Sequence, residues 1–187
     1  MSVERRTILK AALAIGLGCG SLRGSPAEAQ DPSAARPQKG DLFVVAYGDR
    51  AGQIIRPEDL PLGGPQQLAF PMEPGARVIR NGSLLNQVAL VRLDPTSLSE
   101  ETRTQAAAGI VAYSAICTHQ GCPVSMWHKE SHTLFCSCHA SRFDPADRAR
   151  VVDGPAPRRL PMLPLQASKD VLVVAGDFSA RVGGQTQ

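Results

Sequence analysis

The sequence predicts a mainly β fold, and three observations carry that expectation. Short apolar runs rich in Val, Ile, Phe and Tyr recur along most of the chain, bounded by turn residues. With 17 Gly and 15 Pro among 187 residues, helix breakers fall too often for long helices, because each costs a helix interior about 1 to 3 kcal/mol. A single stretch carries both a helix start signal and a helix stop.

The strands follow in order. Leu42 to Tyr47 is a compact run of β-formers, Gln87 to Leu93 is a second, and Gly109 to Ile116 a third. Thr133 to Phe135, Val151-Val152, the proline-punctuated Leu160 to Leu165, and Val171 to Ala175 complete the set. Asp170, Gly176 and Asp177 are turn signals around the last run. All of these runs read as core. The one helix is expected over 97–108, where Ser97-Leu98-Ser99-Glu100 has capping-box spacing, Glu101 to Ala108 favours helix, and Gly109 stops it. Between Asp49 and Asn86 many Gly and Pro leave no element assigned, and the chain has no internal repeat.

Residues 1–29 read as an export leader. Arg5-Arg6 precede an uncharged stretch from Ala11 to Leu22, and Ala27-Glu28-Ala29 places small residues where a signal peptidase cuts. This resembles a twin-arginine signal, a route that carries folded proteins. Only twelve uncharged residues separate Lys10 from Arg23, whereas a spanning helix needs about 20, so cleavage is expected and membrane association requires an uncleaved leader. Cleavage also removes Cys19, leaving four cysteines and no odd thiol for an oxidising compartment. Residues 30–40 are polar and proline-containing and read as a flexible lead-in, followed by one domain over 41–183. Without Arg5, Arg6, Lys10, Arg23, Glu4 and Glu28, the chain's 20 basic and 17 acidic residues become 16 and 15, a net charge of +1. No nucleic-acid or anionic-membrane preference follows from so even a balance.

Chemistry concentrates between Cys117 and Phe143. Two boxes, Cys117-Thr118-His119-Gln120-Gly121-Cys122 and Cys136-Ser137-Cys138-His139-Ala140-Ser141, stand thirteen residues apart. Together they offer two thiolates and two imidazoles to one metal centre, with a further cysteine in each box. Soft sulfur and nitrogen donors suit zinc or an iron-sulfur cluster and argue against calcium and magnesium, which take oxygen ligands. A structural Cys2His2 zinc site uses four ligands and gives no reason for the two extra cysteines.

The pattern CTHxGC followed by CxCHxS resembles the Rieske iron-sulfur proteins. The resemblance implies an antiparallel β-sandwich with a small cluster-binding subdomain made by two loops. It implies a [2Fe-2S] cluster with Cys117 and Cys136 on one iron and His119 and His139 on the other. Cys122 and Cys138 then match the disulfide that joins the two loops in respiratory members. Ser141 falls where the family places a hydroxyl against a bridging sulfide, and Gly154-Pro155-Ala156-Pro157 where a proline loop covers the cluster. The chain departs from respiratory members at Ala140, usually Gly, and at Phe143, often a Tyr aimed at a ligand sulfur. Small subunits of the arsenite-oxidase type resemble it at the phenylalanine.

Histidine ligation raises such centres to roughly −150 to +300 mV, well above all-cysteine clusters of the plant type. The expected function is an exported, periplasmic electron-transfer subunit, working between a larger catalytic subunit, such as a molybdenum oxidase resembling arsenite oxidase, and a cytochrome-type acceptor. The alternative is the Rieske subunit of a quinol-oxidising cytochrome bc complex. An oxygenase component would need a further mononuclear iron site of two histidines and a carboxylate. His128 and His132, the remaining histidines, read as solvated loop or strand residues.

Overall fold

The computed structural model describes residues 31–184; the expected leader lies outside them. Eleven strands follow one another: β1 (Leu42–Val45), β2 (Gln67–Glu73), β3 (Val78–Ile79), β4 (Val88–Arg92), β5 (Ile110–Ser114), β6 (Met126–His128), β7 (Thr133–Cys136), β8 (Ser141–Asp144), β9 (Arg150–Asp153), β10 (Leu165–Ser168) and β11 (Val171–Val174). Seven form a large sheet in the order β10-β11-β1-β2-β4-β5, with β3 on β2; the other four form a second sheet in the order β6-β7-β8-β9. Every strand pair in both sheets is antiparallel.

The two faces of β4 and β5 explain how the sheets are held together. Side chains alternate across a strand, and here both sets are apolar. Val88, Leu90, Ile110 and Ala112 pack with Phe43, Val45, Leu172 and Val174 inside the large sheet. Ala89, Val91, Val111, Tyr113 and Ala115 face the other way, onto Leu134, Phe143, Cys117 and Cys136. The chain thus leaves β5 with its odd-numbered residues already directed at the second sheet, and Cys117 continues that series. The Tyr113 hydroxyl donates to the Pro145 carbonyl at 2.9 Å, joining β5 to the turn after β8.

Four expectations are revised. The helix over 97–108 shrinks to a 3-10 turn at Pro95–Ser97 and α1 at Glu100–Arg103. Ser97 spends its hydroxyl on the Asp94 carbonyl, and Ser99 is the residue that caps α1, accepting from the Thr102 amide. Leu98 and Ala107 are drawn into the core, and Ala108 and Gly109 turn the chain back at φ +51° and +75°, so the helix has no room to continue. The run Leu160 to Leu165 is buried but makes only an isolated bridge, Met162 to Tyr113, before β10 starts at Leu165; Pro161 and Pro164 cannot donate to a ladder. The unassigned stretch contains β2, masked in the sequence by Pro71 in its centre.

The lead-in is the fourth revision. Pro37 is buried, the Gly82 amide donates to the Ser33 carbonyl at 3.0 Å, and the Asn86 amide group donates to the carbonyls of Ala35 and Arg80. Beside them Arg80 makes a two-pronged ion pair with Asp41, both oxygens engaged. Their side chains are 8% and 2% exposed, so this is a buried pair rather than a surface one. No helix among the described residues is long and apolar enough to cross a membrane.

Candidate metal centre

The first box is a tight loop at the end of β5. The Cys117 amide donates to the Cys122 carbonyl at 2.7 Å, and the Gly121 amide returns to the Cys117 carbonyl at 3.0 Å. Gly121 closes the turn at φ +78°, a conformation glycine adopts without penalty. Thr118 is fully buried, its hydroxyl donating to the Arg158 carbonyl at 2.5 Å.

The second box is the four-residue connection between β7 and β8 together with the strand residue at each end, Cys136 and Ser141. Cys136 and Ser141 are directly paired across the two strands, and Ala140 turns the chain at φ +59°. That is the position where respiratory members usually have glycine, so the departure noted in the sequence falls on a left-handed residue. Such backbone costs an L-residue roughly 1–2 kcal/mol.

Both boxes meet at one place. Cys122 and Cys138 are joined in a disulfide with Cα atoms 6.5 Å apart, and the Cys136 sulfur lies within 4.8 Å of both its sulfurs. Those two sulfurs are spent on each other, so among the described residues the thiols that remain for a metal are Cys117 and Cys136, both buried. The His119 and His139 rings stand edge to face with centroids 4.6 Å apart. His119 is partly buried and His139 exposed. The four donors are therefore asymmetric, with sulfur inside and imidazole toward the surface. His119 Nδ1 is a buried polar atom with no hydrogen-bond partner. An orphan of this kind is costly unless something binds it, and a soft metal centre fits both that nitrogen and the two buried thiols.

A third wall closes the site. Gly154, at φ +85°, lies so near β8 that a Cβ there would fall 2.5 Å from the Ser141 Cα and 2.9 Å from the Ala140 carbonyl oxygen. Two residues on, the Ala156 amide donates to the Ser141 hydroxyl at 3.2 Å, while Pro155 is exposed on the outside of the same loop. Phe143 is fully buried and lies opposite Leu134, two residues from the Cys136–Ser141 pair. The period of two puts it on the same face as that pair.

Burial dominates the electrostatics of the sulfur side. Burial pushes the Cys117 thiol up to about 11, and the neighbouring Cys136 adds to the effect; the His119 amide and the Ser141 hydroxyl act the other way, toward the thiolate. Without a metal, the pocket holds its sulfur as a neutral thiol at physiological pH, since low dielectric penalises the anion.

Sequence reasoning named these residues from the boxes and from the resemblance the boxes carry. His128 and His132 have other partners, His128 bonding to Ser131 and approaching Glu130, and His132 reaching the Gly63 carbonyl. The boxes gave no hint of Arg158 or Gly184, whose contacts with the first box are made from far along the chain. Their only signal was the Gly183-Gly184 pair near the end of a β domain.

Comparisons with known proteins identify the family. The family model of the Rieske [2Fe-2S] domain matches residues 83–164. The Rieske iron-sulfur subunit of the cytochrome bc1 complex of Streptomyces lividans is 38% identical over 152 residues, covering 78% of this chain and 85% of that protein. A putative respiratory nitrate reductase Rieske subunit of Haloferax mediterranei is 46% identical over 96 residues, which is 50% of this chain and 43% of its own. The Mycobacterium tuberculosis (strain H37Rv) bc1 Rieske subunit is 32% identical over 146 residues, 69% of this chain and 34% of its own. The chain thus spans most of the Streptomyces lividans protein and less than half of the other two. On the matched domain and the Streptomyces lividans relative together, this chain belongs to the Rieske [2Fe-2S] family.

Proposed function

We propose that this chain is the one-electron carrier of a larger oxidoreductase, with Cys117 and Cys136 holding one iron and His119 and His139 the other. The observation that carries the reading is the asymmetry of the donors: two buried thiols behind two imidazoles, the inner imidazole nitrogen lacking any partner. The cluster bound there supplies a centre that takes up and releases a single electron. The chain's own residues shape that step. Cys117 and Cys136 keep the sulfur side away from water, and the Ser141 hydroxyl offers a hydrogen bond to that side. The Cys122–Cys138 disulfide and the loop from Gly154 to Pro157 hold the boxes together and exclude solvent. His139, exposed, is the edge a partner can approach.

The partner proposed is a larger catalytic subunit, a molybdenum oxidase resembling arsenite oxidase, with a cytochrome-type acceptor, in the periplasm after twin-arginine export. Phe143 supports this reading, and so does the 46% identity to a relative named for a nitrate reductase. The second reading, the Rieske subunit of a quinol-oxidising bc complex, is supported by the 38% identity to the Streptomyces lividans subunit. Here a ligand histidine would also take a proton from the quinol.

Native purification of the tagged chain from its own cells separates the two. Recovery with a molybdenum-containing subunit, and reduction by that subunit's substrate, selects the first reading. Quinol-dependent cytochrome reduction by membranes, lost when the chain is deleted, selects the second. Recovery of the chain alone in both soluble and membrane fractions would sink both. Exported protein beginning at or near Gln30, and retention in the cytoplasm when Arg5 and Arg6 are replaced by Lys, test the leader.

A further inference from the structure

We propose that the C-terminal segment from Ala180 to Gly184, clipped down by Arg158, is a positioning element for the loop that carries His119. The proposal deepens the reading above, in that its effect on the cluster rests on His119 being an iron ligand; the geometry stands without it.

The path begins after β11. The Ser179 amide donates to the Met162 carbonyl at 2.8 Å, and the Met162 amide donates to the Ser179 hydroxyl at 2.9 Å, which turns the chain toward the first box. Val182 is then 6% exposed and Gly183 is buried. The Arg158 guanidinium donates to the Gly183 carbonyl at 2.7 Å, while its own backbone carbonyl accepts from the buried Thr118 hydroxyl. Arg158 therefore grips the C-terminal segment with its side chain and the residue next to His119 with its main chain.

Gly184 completes the contact. A Cβ there would lie 2.9 Å from the Gly121 nitrogen, 2.9 Å from the His119 carbonyl oxygen and 3.0 Å from the Gln120 carbonyl carbon, all main-chain atoms that cannot swing aside. Its φ is not in the left-handed region, so close approach, not conformational freedom, is what demands glycine here. Glycine lets the segment lie directly on the backbone of His119 to Gly121 and cover it from solvent. The loop is tied by the Cys117 and Gly121 amide bonds, by the Ile116–Pro123 bridge at its base and by the disulfide. A strand of chain laid across it fixes the His119 backbone and keeps water from one side of it. Since the reduced cluster carries one more negative charge, water admitted there favours reduction. Removing the segment should raise the midpoint potential.

The test uses the full chain with its cluster beside four variants: a chain ending at Arg181, Gly184→Ala, Arg158→Met and Arg158→Lys. The shortened chain, which keeps the Arg158 charge, is expected to keep its iron but to show a raised midpoint. Its magnetic-resonance spectrum should also be altered, and Gly184→Ala should share the altered spectrum. In the metal-free protein, amide hydrogen exchange over 117–122 should quicken about tenfold or more in the shortened chain and in Arg158→Met, the loss expected of a charge-assisted hydrogen bond. Arg158→Lys, whose ammonium can still reach the Gly183 carbonyl, should restore near-normal exchange. A shortened chain with unchanged midpoint, spectrum and exchange overturns the proposal. If that chain fails to fold, equal exchange in Arg158→Met, Arg158→Lys and the unaltered protein does so instead. Failure of the ligand reading looks different: His119→Ala would keep its cluster, while the exchange results would stand on their own.

Discussion

Replacing Gly154 by alanine tests how tightly the covering loop is pressed onto the cluster side of β8. The new Cβ would sit 2.5 Å from the Ser141 Cα, 2.7 Å from its nitrogen and 2.9 Å from the Ala140 oxygen, all backbone. Nothing there can rotate away, so the loop and β8 must separate. Two costs add. A left-handed φ, here +85°, costs an L-residue roughly 1–2 kcal/mol, and forced backbone displacement in a packed site costs about 1–3 kcal/mol more. The expected loss is about 2–5 kcal/mol, or a fall in the urea midpoint of roughly 1 M or more for a domain of this size. Gly40→Ala is the control, because its φ is +96° and a Cβ there meets nothing within 4 Å; it should lose only the conformational part. Parallel urea titrations of the metal-free proteins would measure the difference. In the loaded protein, separation should also break the Ala156–Ser141 hydrogen bond and speed loss of the cluster. Equal destabilisation by Gly154→Ala and Gly40→Ala would refute the claim that the loop bears directly on Ser141.

Phe143→Tyr should raise the midpoint potential and Ser141→Ala should lower it, each by roughly 40 mV, which is one hydrogen bond of about 1 kcal/mol to the more negative reduced state; voltammetry at unchanged iron content reads both. An unmoved or lowered Phe143→Tyr midpoint would mean that the side chain does not face the sulfurs. Asp41→Asn should cost about 3–5 kcal/mol, since it leaves the Arg80 charge buried without its partner, and a loss below about 1 kcal/mol by denaturant titration would show that water replaces the carboxylate. Ala140→Gly should be neutral or stabilising by up to about 1 kcal/mol, relief at φ +59° being partly offset by glycine's greater freedom when unfolded. A clear destabilisation would contradict the assigned backbone geometry.

What the sequence made legible was local. Cys117, His119, Cys136 and His139 sit in two hexapeptides whose donor types and spacing point to a soft-metal site, and β1 and β11 are wholly apolar runs, with β4 and β5 apolar up to their last residue. What escaped depended on distance or on competition. β2 holds Pro71 in its middle yet pairs along its length, because partners on both sides supply the ladder that propensity does not. The helix signal at Ser97 was real as a hydrogen-bonding hydroxyl, but Asp94 claimed it, and burial of Leu98 and Ala107 ended the helix after Arg103. The lead-in was polar enough to read as free, and nothing in its composition announced that Asn86 and Gly82 would hold it. Gly184 is the clearest case, since its need for a missing side chain arises from a loop more than sixty residues earlier.

The central claim is that two thiols and two imidazoles of this chain hold a [2Fe-2S] cluster. Its most direct test is the iron, labile sulfide and zinc content of the purified full chain, read together with the magnetic-resonance spectrum of the reduced protein. The account predicts two irons and two sulfides per chain, as the family's cluster requires, with a Rieske-type signal that disappears in Cys117→Ala, His119→Ala, Cys136→Ala and His139→Ala. A folded, colourless protein carrying one zinc per chain and no sulfide would contradict it.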